Sequence, residues 1–227
     1  MDLILMRHLE SEKNLKKSFA SLDDQEPLTE KGKQMGIEIA ADLKRYIDQK
    51  KGQIKQIYCA SSNRGISTAT LLSSQLGVPI VPLDALCSSK TGVLQGKTEE
   101  EVQQERPEFM HQPYLYRKGV ISSYEFELIE GKETKSALES RVNQTIENIL
   151  AVPDENIKII VMHRSSLTAA LIHYARLICH YPENYFGYIP LDYGYISHLS
   201  ESEGKWKFES VNEPPKTLLK KFNGTFQ

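Results

Sequence analysis

The chain has 227 residues, 40% hydrophobic and 26% charged, with a formal net charge of -2. That balance excludes a disordered chain, and it excludes broad electrostatic attraction to nucleic acid or an anionic membrane surface. No apolar run approaches the roughly 20 residues of a membrane-spanning helix. The opening MDLILMRH lacks the basic region of a signal peptide. Three cysteines (Cys59, Cys87, Cys179) are too scattered for a disulfide framework or a zinc site, and Cys59 and Cys179 read as small buried hydrophobes. The expectation is a cytoplasmic, reduced protein with no nucleic-acid or membrane partner.

Leu3–Met6 reads as a short buried strand, with the polar pair Arg7-His8 immediately after it. Glu10–Asp24 is polar and aperiodic, a loop over the strand ends. Thr29 is a helix N-cap, and Met35, Ile39, Leu43 and Ile47 repeat at helical spacing up to the basic Lys50-Lys51 and Gly52. Ile54–Cys59 predicts a second strand, Ile66–Leu76 a second helix ending at Gly77, and Val78–Pro82 a third strand. This β-α-β-α-β order argues for an α/β fold, a parallel sheet with helices on its faces. Leu83–Glu133 breaks the rhythm and reads as an insertion with one helix near Thr98–Glu105, folded over the site as a cap. Its acidic run Glu99–Glu101 reads as the solvated first turn. Ser136–Leu150 is a further amphipathic helix, Asn156–Met162 the most strand-like run, and Leu167–Ile178 an apolar helix. Tyr193–Leu199 and Lys205–Val211 are late, antiparallel strands, and Pro214–Gln227 is a basic tail without predicted structure.

Three strand ends carry the polar groups that suggest chemistry: Arg7 with His8, Arg64, and His163 with Arg164. In a parallel sheet, ligands sit beyond the carboxyl ends of the strands. Two imidazoles and two or three guanidiniums gathered there repel one another unless an anion lies among them, which points to a phosphate pocket. No glycine-rich phosphate loop is present. Arg141 and Glu139 read as a helix-surface pair.

These residues sit in motifs that resemble the histidine phosphatase superfamily, the phosphoglycerate mutase-like proteins. LMRHLESEKN is similar to that family's RHG motif and following Asn, PLTEKGKQMG to PLT-x-x-G-x-x-Q-A, and SSNRGISTA to S-x-x-x-R-A-x-x-T-A. GVLQGKTEEEV is similar to G-x-x-x-G-K, EGKETKSALESR to the G-G-E-S stretch ending in Arg, and VMHRSSL to V-S-H-G-G. The order and spacing agree over roughly residues 3–175. The resemblance implies a three-layer α/β/α sandwich with a mostly parallel central sheet, one domain over 1–227 with the cap insertion at about 84–133. It implies a phosphatase acting on a small phosphorylated metabolite through a phosphohistidine at His8. His8, His163, Arg7 and Arg64 would be catalytic, and Arg7, Asn14, Arg64 and His163 would bind the phosphate, with Ser11 a further hydrogen-bonding candidate. No cofactor and no metal are implied, because the arginines supply the positive charge.

The chain departs from the family in three places. Leu9 replaces the Gly of RHG and Arg164-Ser165 replaces the later Gly pair, so bulkier residues would narrow or reshape the pocket. Ser88 stands where the family has its proton-donating Glu, and serine cannot protonate a leaving alkoxide as a carboxylic acid does. Asp84, Glu10 or an acid within Glu125–Glu133 would have to serve, or only good leaving groups are handled. A weakened, phosphate-binding regulatory protein therefore stands as an alternative. Phosphoglycerate mutase activity is a second alternative, disfavoured because Ser88-Ser89 replaces the mutases' Glu-Arg.

Overall fold

Leu3, Ile4, Leu5 and Met6 are all fully shielded from solvent, and they alternate between two cores. Their strand, β1 (Asp2–Arg7), is thus covered on both faces, the condition that lets a strand be apolar throughout. In the computed structural model, which describes residues 1–16, 18–19, 25–120, 129–153, 156–183 and 187–220, a one-turn helix α1 (Glu12–Leu15) follows. Helix α2 (Glu30–Lys50) begins at Thr29, whose hydroxyl accepts the Gly32 N–H, and buries Ile39, Ala40, Leu43 and Tyr46. Strand β2 (Ile57–Ala60), helix α3 (Asn63–Leu76) and strand β3 (Ile80–Leu83) complete the alternating half.

Two short helices, α4 (Glu99–Glu105) and α5 (Pro107–Arg117), lie between β3 and α6 (Lys135–Leu150). Strand β4 (Ile157–Met162), helix α7 (Arg164–Cys179), strands β5 (Ile196–Ser202) and β6 (Lys205–Glu213), and a last turn α8 (Thr217–Lys220) close the chain. The sheet order is β3-β2-β4-β1-β5-β6. The first four strands are mutually parallel, and β5 and β6 are antiparallel additions. Helices α6 and α7 cover one face and α2, α3 and α8 the other. The helices leaving the adjacent strands β1 and β4 thus run to opposite faces, which opens a crevice at their carboxyl ends. Among the described residues, no helix is long and apolar enough to cross a membrane.

Several expectations from sequence shift. Among the described residues, the segment after β3 holds two α-helices rather than one. Pro107 opens the second, a position where its missing N–H costs nothing. The helices after β2 and β4 begin at Asn63 and Arg164 rather than at Ile66 and Leu167, with Ser62 and His163 as N-caps. The tail is ordered through Lys220 by burial of Leu218 against α2, and residues 221–227 lie outside the described residues. Part of the Glu10–Asp24 loop, 17 and 20–24, does so too. Cys59 is buried as expected, but Cys179 is exposed at the end of α7.

The family-like glycine-bearing stretch at Gly92–Lys97 has a structural reason. Gly92 has φ +60°, and a Cβ there would lie 2.0 Å from Glu130 O. That approach lets the Val93 N–H bond Glu130 O at 3.0 Å and closes the insertion on itself. Gly65 makes a second close approach, 2.4 Å from its would-be Cβ to Ala60 O, where the resembling motif carries Ala. Gly65→Ala is expected to lower the unfolding free energy in urea titrations by about 1–3 kcal/mol through that overlap. A variant as stable as the parent would contradict the approach.

Candidate active site

Strands β1 and β4 pair in parallel with Arg7 opposite Met162, and the His8 N–H donates to Met162 O at 2.9 Å. The next residues, His8 and His163, therefore leave neighbouring strands side by side. Their ring centroids are 4.9 Å apart, and the residues are only 2% and 3% exposed. The Nδ1 of His8 lies 2.7 Å from Leu9 O. A carbonyl only accepts, so Nδ1 carries the proton and Nε2 keeps its lone pair. Ser62 Oγ lies 2.7 Å from His163 Nε2.

Arg7 is held by a segment far along the chain. Its guanidinium sits 3.7 Å from the Tyr193 ring centroid, and Nη1 donates to Leu191 O. The Arg7 N–H donates to Tyr195 O, and Arg7 O accepts the Gly194 N–H. Its Nε is buried with no hydrogen-bond partner among the described residues. Arg64, in the first turn of α3, is also buried. Thr68 accepts the Leu9 N–H at 3.1 Å and donates to Arg64 O at 2.7 Å. One hydroxyl thus ties the turn carrying Arg64 to the residue after His8.

Around these groups lies a crevice of about 300 Å³, lined by Arg7, His8, Lys13, Asn14, Arg64, Ser88, Glu99, His163 and Arg164 among others. A larger cavity of about 650 Å³ adjoins it, sharing Arg64, Ser88 and His163 and adding Asp84, Cys87, Glu133 and Arg141. Burial, then Arg64 and Arg7, push the His8 pKa well below the usual imidazole value. Burial pushes His163 the same way, with help from His8 and the same two arginines. Burial also lowers Arg7 to about 10, which still leaves it charged at neutral pH. The crevice thus combines fixed positive charge with an unprotonated imidazole nitrogen. That combination can hold a tetrahedral oxyanion and attack its central atom.

The structure brings Arg7, His8, Asn14, Arg64 and His163 to one crevice. Asn14 accepts from the Ser11 N–H and hydroxyl at 3.0 and 2.9 Å, which turns its amide N–H groups to other partners. Ser11 is fully buried behind it and does not line the crevice, so it acts through Asn14. Glu10 lines neither cavity, because its carboxylate accepts from Thr29 Oγ1 at 3.0 Å and faces Lys31. Asp84 lines the larger cavity, held by the Ser61 hydroxyl. Of the Glu125–Glu133 stretch, 125–128 lie outside the described residues, and Glu133 is fully engaged with Arg141.

Three expectations are corrected. Leu9 does not crowd the pocket: it is fully buried in the core, and a Cβ on Gly36 would lie 2.7 Å from its Cδ1. The resembling motif has Ala at that place, so the small residue has moved from one side of the contact to the other. Arg141 is no helix-surface partner of Glu139. It forms a two-pronged ion pair with Glu133 at 2.7 and 2.8 Å and donates to the carbonyls of Ala85, Cys87 and Ser88, pinning the loop above the site. Glu139 instead meets Arg176 at 3.1 Å. Glu99 is exposed in its helical turn, as expected, but also lines the crevice. Arg164 and Ser165 do reshape the wall: Ser165 Oγ lies 3.1 Å from Ser88 Oγ and accepts the Ser89 N–H at 2.9 Å.

A family model, the histidine phosphatase superfamily (branch 1), matches residues 3–214. A search of curated proteins finds no match by sequence. Among solved structures, YhfR of Bacillus stearothermophilus superposes with a TM-score of 0.73 at 20% identity, covering 93% of this chain and 96% of that one. The alpha-ribazole phosphatase of Shigella flexneri gives 0.68 at 22% identity, covering 94% and 96%. A mycobacterial glucosyl-3-phosphoglycerate phosphatase in complex with VO3 gives 0.72 at 17% identity, covering 93% and 98%.

The buried imidazoles predict an acid limb in the stability of the unliganded protein. Both are neutral when folded, whereas in the unfolded chain they titrate near ~6.5. As pH falls below that value the unfolded state takes up protons that the folded state refuses, so stability is full above it and declines below. Each histidine should contribute a slope approaching about 1.4 kcal/mol per pH unit. Urea unfolding between pH 7.5 and 5.5 measures it, and His8→Gln with His163→Gln should flatten the slope. An equally steep acid limb in the double variant would contradict the assignment.

Proposed function

Because the chain belongs to branch 1 of the histidine phosphatase superfamily, we propose that it is a phosphomonoesterase that hydrolyses a small phosphorylated metabolite through His8. The observation that carries this reading is the His8 ring itself: buried, unprotonated, with Nδ1 committed to Leu9 O and Nε2 left as nucleophile. Arg7, Arg64, Asn14 and the His163 ring would hold the phosphoryl oxygens. His8 Nε2 attacks phosphorus in line, the bond to the leaving oxygen breaks, and that oxygen takes a proton. Water then attacks the phosphohistidine, returning Nε2 and releasing phosphate. The guanidiniums stabilise the equatorial charge in both steps.

Ser88 is hydrogen-bonded to Ser165 and supplies no acid. Of the acids considered for the task, Asp84 has the better support, because it opens onto the cavity shared with Arg64 and His163, where Glu133 is committed to Arg141. Glu10 is held by Thr29 on the other side. The Ser88–Ser165 contact also favours a second reading, a phosphate-ligand-binding protein with little turnover. Isomerisation has less support, since Ser88 and Ser89 offer no charged group for a second part of the substrate.

His8→Ala should abolish hydrolysis of p-nitrophenyl phosphate measured with chelator present, and parent-like turnover would overturn the nucleophile assignment. Asp84→Asn should lower kcat/KM for an alkyl phosphate by about 10²–10⁴-fold while affecting p-nitrophenyl phosphate far less, because nitrophenolate departs without protonation. Equal losses on the two esters would remove Asp84 as the acid. Parent turnover at background level, with phosphate still raising the melting temperature, would establish the binding reading instead.

A further inference from the structure

The crevice carries more positive charge than one phosphoryl group requires. Besides Arg7 and Arg64 it is lined by Lys13, which is 7% exposed on α1, and by Arg164, the first residue of α7. Glu99 is the one carboxylate among the described lining residues. Arg164 has no hydrogen bond or ion pair through its guanidinium among the described residues, and its charge presses on Arg7, adding to the lowering of the Arg7 pKa. Like charges held this close cost energy unless a ligand repays it. A phosphomonoester dianion seated between Arg7, Arg64 and the two imidazoles leaves Arg164 to face the rest of the substrate, with Lys13 on the same lining.

We infer that Lys13 and Arg164 form a second anion subsite beside the phosphoryl pocket, so that the substrate carries a further acidic group, carboxylate or phosphate, on the part that leaves. The inference rests on the phosphatase reading and narrows its substrate class. Lys13 and Arg164 come from different elements, α1 and α7, and line the same crevice. Arg164 also explains the departure from the family motif in chemical terms. A guanidinium in place of the glycine after the second histidine exchanges backbone approach for a fork suited to an oxyanion. In the adjoining cavity Arg141 is paired with Glu133, whose carboxylate also feels the charge of Lys90.

The test uses non-hydrolysable probes on the full-length chain by titration calorimetry: methylphosphonate with one acidic head, and phosphonoacetate, methylenebisphosphonate and ethane-1,2-bisphosphonate with two. At least one two-headed probe should bind about tenfold or more tightly than methylphosphonate, as a charge-assisted contact allows. Phosphonoacetate or the bisphosphonates leading identifies carboxylate or phosphate as the second group. Arg164→Gln, at an exposed position, should cost the two-headed probes about tenfold more than it costs methylphosphonate, and Lys13→Gln should act in the same direction. Equal affinity for one-headed and two-headed probes overturns the inference while leaving the phosphatase reading intact, as does an advantage that survives Arg164→Gln. Failure of every probe, methylphosphonate included, removes the phosphoryl pocket itself and the inference with it.

Discussion

The structure depends on one pairing, the parallel register of β1 against β4. That register sets the spacing of two imidazoles that are more than 150 positions apart in sequence, and it is held by the burial of Leu3–Met6 and Ile159–Met162 on both faces. A one-residue slip would turn every side chain of β1 to the opposite face. The apolar core thus fixes the polar site. Burial does the rest of the work, since desolvation heads the causes that keep both rings neutral. Buried guanidiniums cost several kcal/mol each in desolvation. Here the cost to Arg7 is offset by a carbonyl, an aromatic face and the backbone of the 191–195 segment. What results is a fixed positive field around an unprotonated imidazole, arranged before any ligand arrives.

Much of what resembles a catalytic motif holds the site instead of touching its contents. Thr29 and Gly32 grip the loop after His8: the Thr29 N–H donates to Glu10 O at 3.0 Å, and a Cβ on Gly32 would lie 2.3 Å from that oxygen. Thr68 joins Leu9 to Arg64. Arg141 and Glu133 stake down the loop that bears Ser88. Departures from the motif come in matched sets for the same reason. Leu9 fits because position 36 is glycine, and Ser88 fits because Ser165 faces it.

The sequence made the strand-end residues legible because a strongly apolar run followed by Arg-His has few other readings in an α/β chain. The alternation of elements, the cap at Thr29 and the glycine stop at Gly77 were legible for equally local reasons. What escaped was non-local. Tyr193 reads as the start of a strand, and only the fold shows that its ring lies under Arg7. Arg141 reads as a surface residue because its partners, Ala85 to Ser88 and Glu133, lie outside its own helix. Leu9 reads as an obstruction because local pattern does not say which way a side chain turns after a strand ends. Lys13 and Glu99 sit in polar stretches where composition gives no hint of a shared crevice.

His8 alone should become covalently phosphorylated during turnover. The direct measurement is to mix the protein with p-nitrophenyl phosphate, quench in alkali within the first turnovers, digest, and map the phosphoryl group by mass spectrometry. The expected result is an acid-labile phosphoryl group on the peptide containing His8, absent from His8→Ala. A turning-over enzyme whose phosphoryl group resides on His163 or on no residue at all would contradict it.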